Sequence, residues 1–254
     1  MLMRVLSLFD YTGYMLKPWR DAGHETIAVD LLHGAINAVP SGPHFDTAYN
    51  WDITDPDTYK RLLDLEPDIL FGFPDCTHLA VSGAKHFAAK LKKDPDIQER
   101  AVRNARIVED LGEELGIPWM LENPVGVMSS LWRPADYYFD PWMYAGYLPE
   151  DDVHPDWPKY IPPRDQYPKK TGIWTTDAFW MPGEAWEPMA WKRNRPIFFP
   201  EWRKSPEGKQ YSKLFSGLGG KTLRTKIIRS ATLRGFANAV YYANAPENRE
   251  LEDE

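Results

Sequence analysis

One cysteine stands in this 254-residue chain, and it ends an apolar run. Residues 68–73 (DILFGF) lead into Phe73-Pro74-Asp75-Cys76-Thr77-His78, so Cys76 sits in a strand-to-loop turn. A thiolate near a helix start or a cation is a good carbon nucleophile. A buried inert cysteine is the ordinary alternative. A second run, 117–121, ends in Glu122-Asn123-Pro124. A carboxylic acid beside a nucleophilic thiol can protonate or hydrogen-bond a ring nitrogen of a pyrimidine and make that ring accept attack. Its bland counterpart is an N-cap acid or an exposed loop residue. The first apolar run delivers Phe9-Asp10-Tyr11-Thr12-Gly13, a turn whose backbone N–H groups suit an anionic cofactor group. Asp30 closes a further run, where a carboxylate can bind the two hydroxyls of a ribose; a plain loop acid fits equally well, and Asp52 has the same ambiguity. With one cysteine, no disulfide can form within the chain. His78 and His86 beside Cys76 are a thin basis for a metal, and none is expected.

The elements that must position these residues alternate. Strands are predicted at 3–9, 25–30, 47–53, 68–73 and 119–121, and helices at 14–22, from Asp55 to about 65, and from Asp94 or Asp96 to about 115. Asp55 is the N-cap of the second helix. In the third, Ala101, Ala105, Ile107, Val108 and Leu111 share one side. This rhythm implies a mostly parallel α/β sheet with right-handed crossovers, whose ligands sit at the carboxyl ends of the strands. Beyond about residue 130 the rhythm stops: eight of the eleven tryptophans lie between 132 and 202. We read 131–225 as an irregular lobe with short strands such as 172–175. Residues 229–243 are read as a helix that returns to the first domain, and the tail 247–254 as disordered.

Composition is that of a globular protein, with 43% hydrophobic and 26% charged residues. No apolar run approaches the roughly 20 residues of a membrane span, and the N-terminal sequence lacks a cleavable signal layout. The expected location is the cytoplasm, with no membrane partner. The net charge of −7 conceals an asymmetry. Between Lys192 and Arg234 stand twelve Lys/Arg against Glu201 and Glu207, a local charge of +10 that leaves −17 elsewhere. A basic block on an acidic body suits a polyanion; charges dispersed over a solvated surface are the alternative.

The order Phe9-x-x-x-Gly13, Asp30, Pro74-Asp75-Cys76 and Glu122-Asn123-Pro124 resembles the cytosine-C5 DNA methyltransferases, in particular their compact bacteriophage branch. That family carries an F-x-G-x-G loop, a ribose acid, a P-C loop and an E-N-V segment. Residues 76–87 and 122–134 are similar to the phage branch, and Arg234-Gly235-Phe236-Ala237-Asn238-Ala239-Val240 to the family's late R-Q-x-G-N-A-V motif. Three positions depart from the pattern: DYTGY lacks the second glycine, Asp75 separates Pro74 from Cys76, and Pro124 replaces valine.

The resemblance implies a Rossmann-like S-adenosylmethionine-dependent methyltransferase domain formed by 1–130 and 226–246. The lobe 131–225 would recognise the target. It implies double-stranded DNA as partner and, for a phage-encoded protein, the host cytoplasm; the sequence does not set the oligomeric state, and a monomer is the expectation. Cys76 would add to C6 of a flipped cytosine and Glu122 would act at N3. Lys192-Arg193-Asn194-Arg195 would stand for the Q-x-R-x-R motif, with Arg195, and after it Arg193, holding the base at O2. Phe9, Asp10, Tyr11, Thr12, Gly13, Asp30, Asp52, Pro74 and Asn238 would hold S-adenosylmethionine, with no metal. Thr77, Ser82, Asn123, Arg193, Lys221 and Arg224 would contact the nucleic acid. A catalytically silent DNA-binding protein of the same fold and an RNA cytosine-C5 methyltransferase are the alternatives.

Overall fold

The structure is a computed structural model and describes residues 1–34, 42–183, 200–206, 208, 210–212, 218 and 222–249. Five parallel strands come first: β1 (Arg4–Leu8), β2 (Glu25–Val29), β3 (Thr47–Tyr49), β4 (Ile69–Gly72) and β5 (Trp119–Pro124). Between them run α1 (Lys17–Asp21), α2 (Pro56–Leu63), α3 (Phe87–Lys93) and α4 (Ile97–Leu115). β1 and β4 are apolar nearly throughout because helices cover both faces of the sheet. Asp55 caps α2 as predicted, its carboxylate accepting the Asp57 N–H at 2.9 Å.

After α5 (Met128–Leu131) come β6 (Tyr137–Phe139) and β7 (Thr171–Thr175). The sheet has seven strands in the order β3-β2-β1-β4-β5-β7-β6, with β7 antiparallel to both neighbours. It differs from the all-parallel 3-2-1-4-5-6 order of dinucleotide-binding sheets by this reversed strand. β6 and β7, which fall within the span 131–225 read as an irregular lobe, pair into the main sheet. The pairing of β7 with β5 spans a long irregular connection, and no βα rhythm announces it. The short strands β8 (Trp202–Lys204) and β9 (Gln210–Ser212) form a separate two-stranded ribbon.

The predicted helix 229–243 is two helices, α6 (Leu223–Ser230) and α7 (Arg234–Asn244), parted by an extended turn at 231–233. Neither proline nor glycine marks the break. What fixes it is Asp165, whose Oδ2 accepts the Arg234 N–H at 2.7 Å at the start of α7. One face of the sheet packs with α1 and α7 through Trp19, Phe71, Phe236 and Val240; the other packs with α4 through Val102, Ala105, Val108 and Leu111. The tail begins as an ordered turn, α8 (Pro246–Arg249), not as disordered chain. His24 is buried and explains why. Its Nδ1 accepts the Met3 N–H, which leaves the ring proton on Nε2 to donate to Glu247 Oε1 at 2.9 Å. Residues 250–254 lie outside the described part.

Candidate active site at the carboxyl edge of the sheet

β1 pairs with β2 on one side and β4 on the other, so the strand order turns at β1 and a crevice opens beyond its carboxyl end. The loops after β1 and β4 flank this crevice and are tied together where Phe73 N–H donates to Leu8 C=O at 3.0 Å. In the first loop Phe9 has φ 57° and Gly13 φ 67°, both left-handed. Asp10 is the loop's internal organiser. Its buried carboxylate accepts from Ser7 Oγ (2.9 Å), Thr12 Oγ1 (3.3 Å) and Gly13 N–H (2.7 Å), and burial pushes its pKa up. Gly13 is required on steric grounds, since a Cβ there would lie 2.6 Å from the Phe45 ring. Tyr11 packs against His33, with ring centroids 5.5 Å apart.

Asp30 lies next to this loop at the end of β2. Its Oδ1 accepts the Leu32 N–H at 2.8 Å, and Oδ2 has no partner among the described residues. Burial, with a contribution from the Asp10 charge, pushes its pKa up to about 6. His33 in the same turn is buried with Nε2 unpartnered, and burial lowers its pKa. The half-buried Asp30 carboxylate and the buried, unpartnered His33 nitrogen at the end of β2 have the chemistry to bind the hydroxyls of a nucleoside. Asp52 does something simpler: it is exposed and closes a turn by accepting Thr54 N–H and Oγ1 at 2.9 and 2.7 Å.

The second loop carries the nucleophile candidate. Pro74 is buried, and its carbonyl accepts Asn123 Nδ2 at 3.1 Å. Asn123 is itself fully buried and so acts as a strut between β5 and the loop, not as a surface contact. Cys76 opens a turn in which Leu79 and Ala80 N–H donate to its carbonyl, at 3.0 and 2.9 Å. The next stretch hangs on the turn after β5: Val81 N–H to Val125 C=O and Val127 N–H to Leu79 C=O, both 2.9 Å. Gly126 makes that approach possible, because a Cβ there would fall 1.8 Å from the Leu79 oxygen. Thr77 is exposed and donates to Asp75, and Ser82 is exposed.

Cys76, Glu122 and one residue the sequence reading missed, Lys169, come together here. Lys169 Nζ lies 3.7 Å from Glu122 Oε1, with the side chains only 11% and 12% exposed. That separation is an ion pair without a hydrogen bond, and Glu122 Oε1 is buried with no hydrogen-bond partner. Burial pushes the Cys76 thiol up; the Lys169 ammonium opposes that, while Glu122 and Asp75 add to it. Lys169 is placed by Asp140, which accepts its backbone N–H at 2.7 Å, and by the entry into β7, whose Ile173 stands opposite Glu122. The signal in the sequence is the pair Lys169-Lys170 just before the predicted strand at 172, but its meaning depends on the reversed pairing of β7 with β5. The neighbouring Tyr167 phenol is raised well above its ordinary pKa by burial and by the charges of Asp165 and Glu122.

Other expected positions fall elsewhere. Asn238 sits on α7 and donates to Tyr147 C=O at 2.9 Å. Arg224 is exposed, its guanidinium 6.0 Å from the Tyr160 ring centroid. Arg193, Arg195 and Lys221 lie outside the described residues. Arg234, counted in the basic block, is buried on Asp152 and Asp165, so its charge does not face solvent. Among the described residues no group of three or more His, Cys, Asp or Glu could hold a metal ion, and no helix is long and apolar enough to cross a membrane.

No protein-family profile and no curated protein matches the chain. Solved structures similar to part of it include a UDP-glucose 4-epimerase with UDP-glucose from Thermotoga maritima (16% identity over 45% of this chain and 35% of that one, TM-score 0.33). Another is the Bordetella bronchiseptica enzyme WbmG in complex with NAD (20% identity, 46% and 36% coverage, TM-score 0.30). A third is a candidate DNA modification methyltransferase encoded within an Escherichia coli prophage (14% identity, 68% and 46% coverage, TM-score 0.37). The chain spans less than half the length of each. Likeness this slight assigns neither a family nor an activity.

Proposed function

We propose that this chain is a methyltransferase that moves a methyl group from S-adenosylmethionine to C5 of a cytosine in DNA. The observation that carries the reading is the meeting of the Cys76 thiol with the Glu122–Lys169 pair beyond the switch point of the sheet. Cytosine C5 is too weak a nucleophile to take a methyl group unaided. The Cys76 thiolate forms a bond to C6, and the displaced electron pair enriches C5. Glu122, with its buried free oxygen, takes up the proton that the Cys76 thiol releases, delivers it to N3 and so holds that charge. Lys169 favours the thiolate before attack and fixes the direction of the Glu122 carboxyl. Once C5 has gained the methyl group it loses its proton to water, the C5=C6 bond re-forms, Cys76 leaves as thiolate, and the N3 proton returns to Glu122.

The loop Phe9–Gly13, with Asp30 and His33, would hold the cofactor, whose part is to supply an electrophilic methyl group. The target base must leave the duplex stack, at a cost of a few kcal/mol. Covalent trapping tests the reading. The protein is incubated with S-adenosylmethionine and duplex DNA containing 5-fluorocytosine, then run on a denaturing gel beside Cys76→Ala. A shifted band that the substitution abolishes is expected. Its absence with DNA binding intact would favour a silent DNA-binding protein; trapping on RNA alone would favour the RNA enzyme.

A further inference from the structure

Asp75 stands between Pro74 and the thiol, where the P-C loop has proline directly before cysteine. Its Oδ1 accepts the Thr77 N–H at 2.7 Å and the Thr77 hydroxyl, so the carboxylate reaches across the Cys76 main chain. Oδ2 forms no hydrogen bond among the described residues, and the residue is exposed. Asp52 closes the same Asp-x-Thr turn on Thr54, around Ile53, which has no reactive group. Around Cys76 the turn carries a penalty, because the Asp75 charge adds to the upward push on the thiol. An asparagine would close the turn through the same oxygen without that charge. A turn cap alone therefore does not account for an acid here.

We propose that Asp75 is a specificity residue: its Oδ2 accepts from the 4-amino group of the base that Cys76 attacks, and so admits cytosine and turns away thymine. The inference rests on the proposed attack of Cys76 on a pyrimidine. At position 4 cytosine presents an amino donor, whereas thymine and uracil present a carbonyl acceptor. A carboxylate accepts from the amino group and repels the carbonyl oxygen. In the ring, C5 alone separates C6, the atom under attack, from the carbon that bears the amino group. An acceptor one residue from the thiol is therefore placed to meet it, while Glu122 serves the neighbouring N3. Thymine is the competing pyrimidine of every duplex, and it already carries a methyl group at C5.

The test compares rates of adduct formation by the full chain, with S-adenosylmethionine, on two mixed-sequence duplexes. One holds 5-fluorocytosine and the other 5-fluorouracil at the same positions. The ratio of the two rates cancels any change in thiol reactivity. Asp75→Asn keeps the turn but can present an amide donor in place of the acceptor. It should lower the cytosine-to-uracil ratio by about tenfold or more, the worth of one hydrogen bond to a charged group. Alkylation of Cys76 by iodoacetamide should be no slower in this variant than in the wild type, which separates lost recognition from a damaged turn. Asp75→Ser, which can close the turn through its hydroxyl, loses the cytosine bond without gaining an amide donor and should lower the ratio by less. An unchanged ratio in both variants, whatever the separate rates do, would overturn the assignment and leave the methyl-transfer reading standing. A wild type that forms no adduct with 5-fluorocytosine would overturn both.

Discussion

Two buried ion clusters share the segment 152–171 and are built in opposite ways. Around Arg234 each guanidinium nitrogen donates: Nη1 and Nη2 grip Asp152 at 2.8 and 2.7 Å, Nη2 and Nε reach Asp165 Oδ1 at 2.8 and 3.2 Å, and the backbone N–H donates to Asp165 Oδ2. Left-handed backbone at Arg164 and Asp165, φ 56° and 52°, is accepted to make that grip. Around Lys169 the reverse holds. Its partner Glu122 stands at 3.7 Å, and the buried oxygen forms no hydrogen bond. Satisfied polar groups fix a fold, whereas a buried group left unsatisfied costs free energy that a ligand can recover. The first cluster is fully satisfied architecture, and the second leaves a buried carboxylate oxygen without a hydrogen bond.

The contrast is sharpest in stability. Arg234→Met strands two aspartates, one of them buried, and should cost about 3–5 kcal/mol in urea unfolding. A loss under 1 kcal/mol would mean that the cluster does not anchor α7. At the other cluster the effect should fall on reactivity. Lys169→Met removes the cation that counters the upward push on the thiol, so at pH 8 alkylation of Cys76 by iodoacetamide should slow several-fold. An unchanged rate would take Lys169 out of the site. Glu122→Gln should act oppositely on alkylation, speeding it by a few-fold because a negative charge near the thiol is gone, yet it should abolish trapping on 5-fluorocytosine. If both alkylation and trapping fell, Glu122 would be a structural group.

Asp30 supplies the smallest and most local test. Its pKa in the fold, about 6, lies above its ordinary value near 3.9, so the folded chain binds the extra proton between these values. Stability is therefore lost as pH rises from about 4 to 6. Asp30→Asn should be indifferent at pH 4 and stabilising at pH 7, by urea midpoint, while weakening adenosine binding. Equal midpoint shifts at both pH values would show that the carboxylate is not under strain.

The sequence made the βα half of the fold legible because each of its elements is locally encoded: Asp55 as a cap, the one-sided apolar stripe of α4, the apolar runs of β1 and β4. The placing of Cys76 and Glu122 at the carboxyl edge of the sheet was legible for the same reason, since each follows such a run. Lys169 was not, because its place depends on β7 pairing backwards with a strand some fifty residues earlier. The charge block overstates its surface charge at one position. Arg234 counts as +1 in a sequence window, but in the fold it is balanced by Asp152 and Asp165, which lie far outside that window.

The suspension of the Cys76 turn on residues 125–127 bears on how this site can vary. The links between the two are main-chain to main-chain, at Val81–Val125 and Val127–Leu79. The spacing from thiol to carboxyl is thus written in peptide geometry and is largely indifferent to side-chain identity at Val81, which is exposed, and at Val125, whereas Leu79 and Val127 also pack in the core. A library randomised at 81 and 125 should yield many variants that still form the covalent adduct. Position 126 should return glycine almost alone.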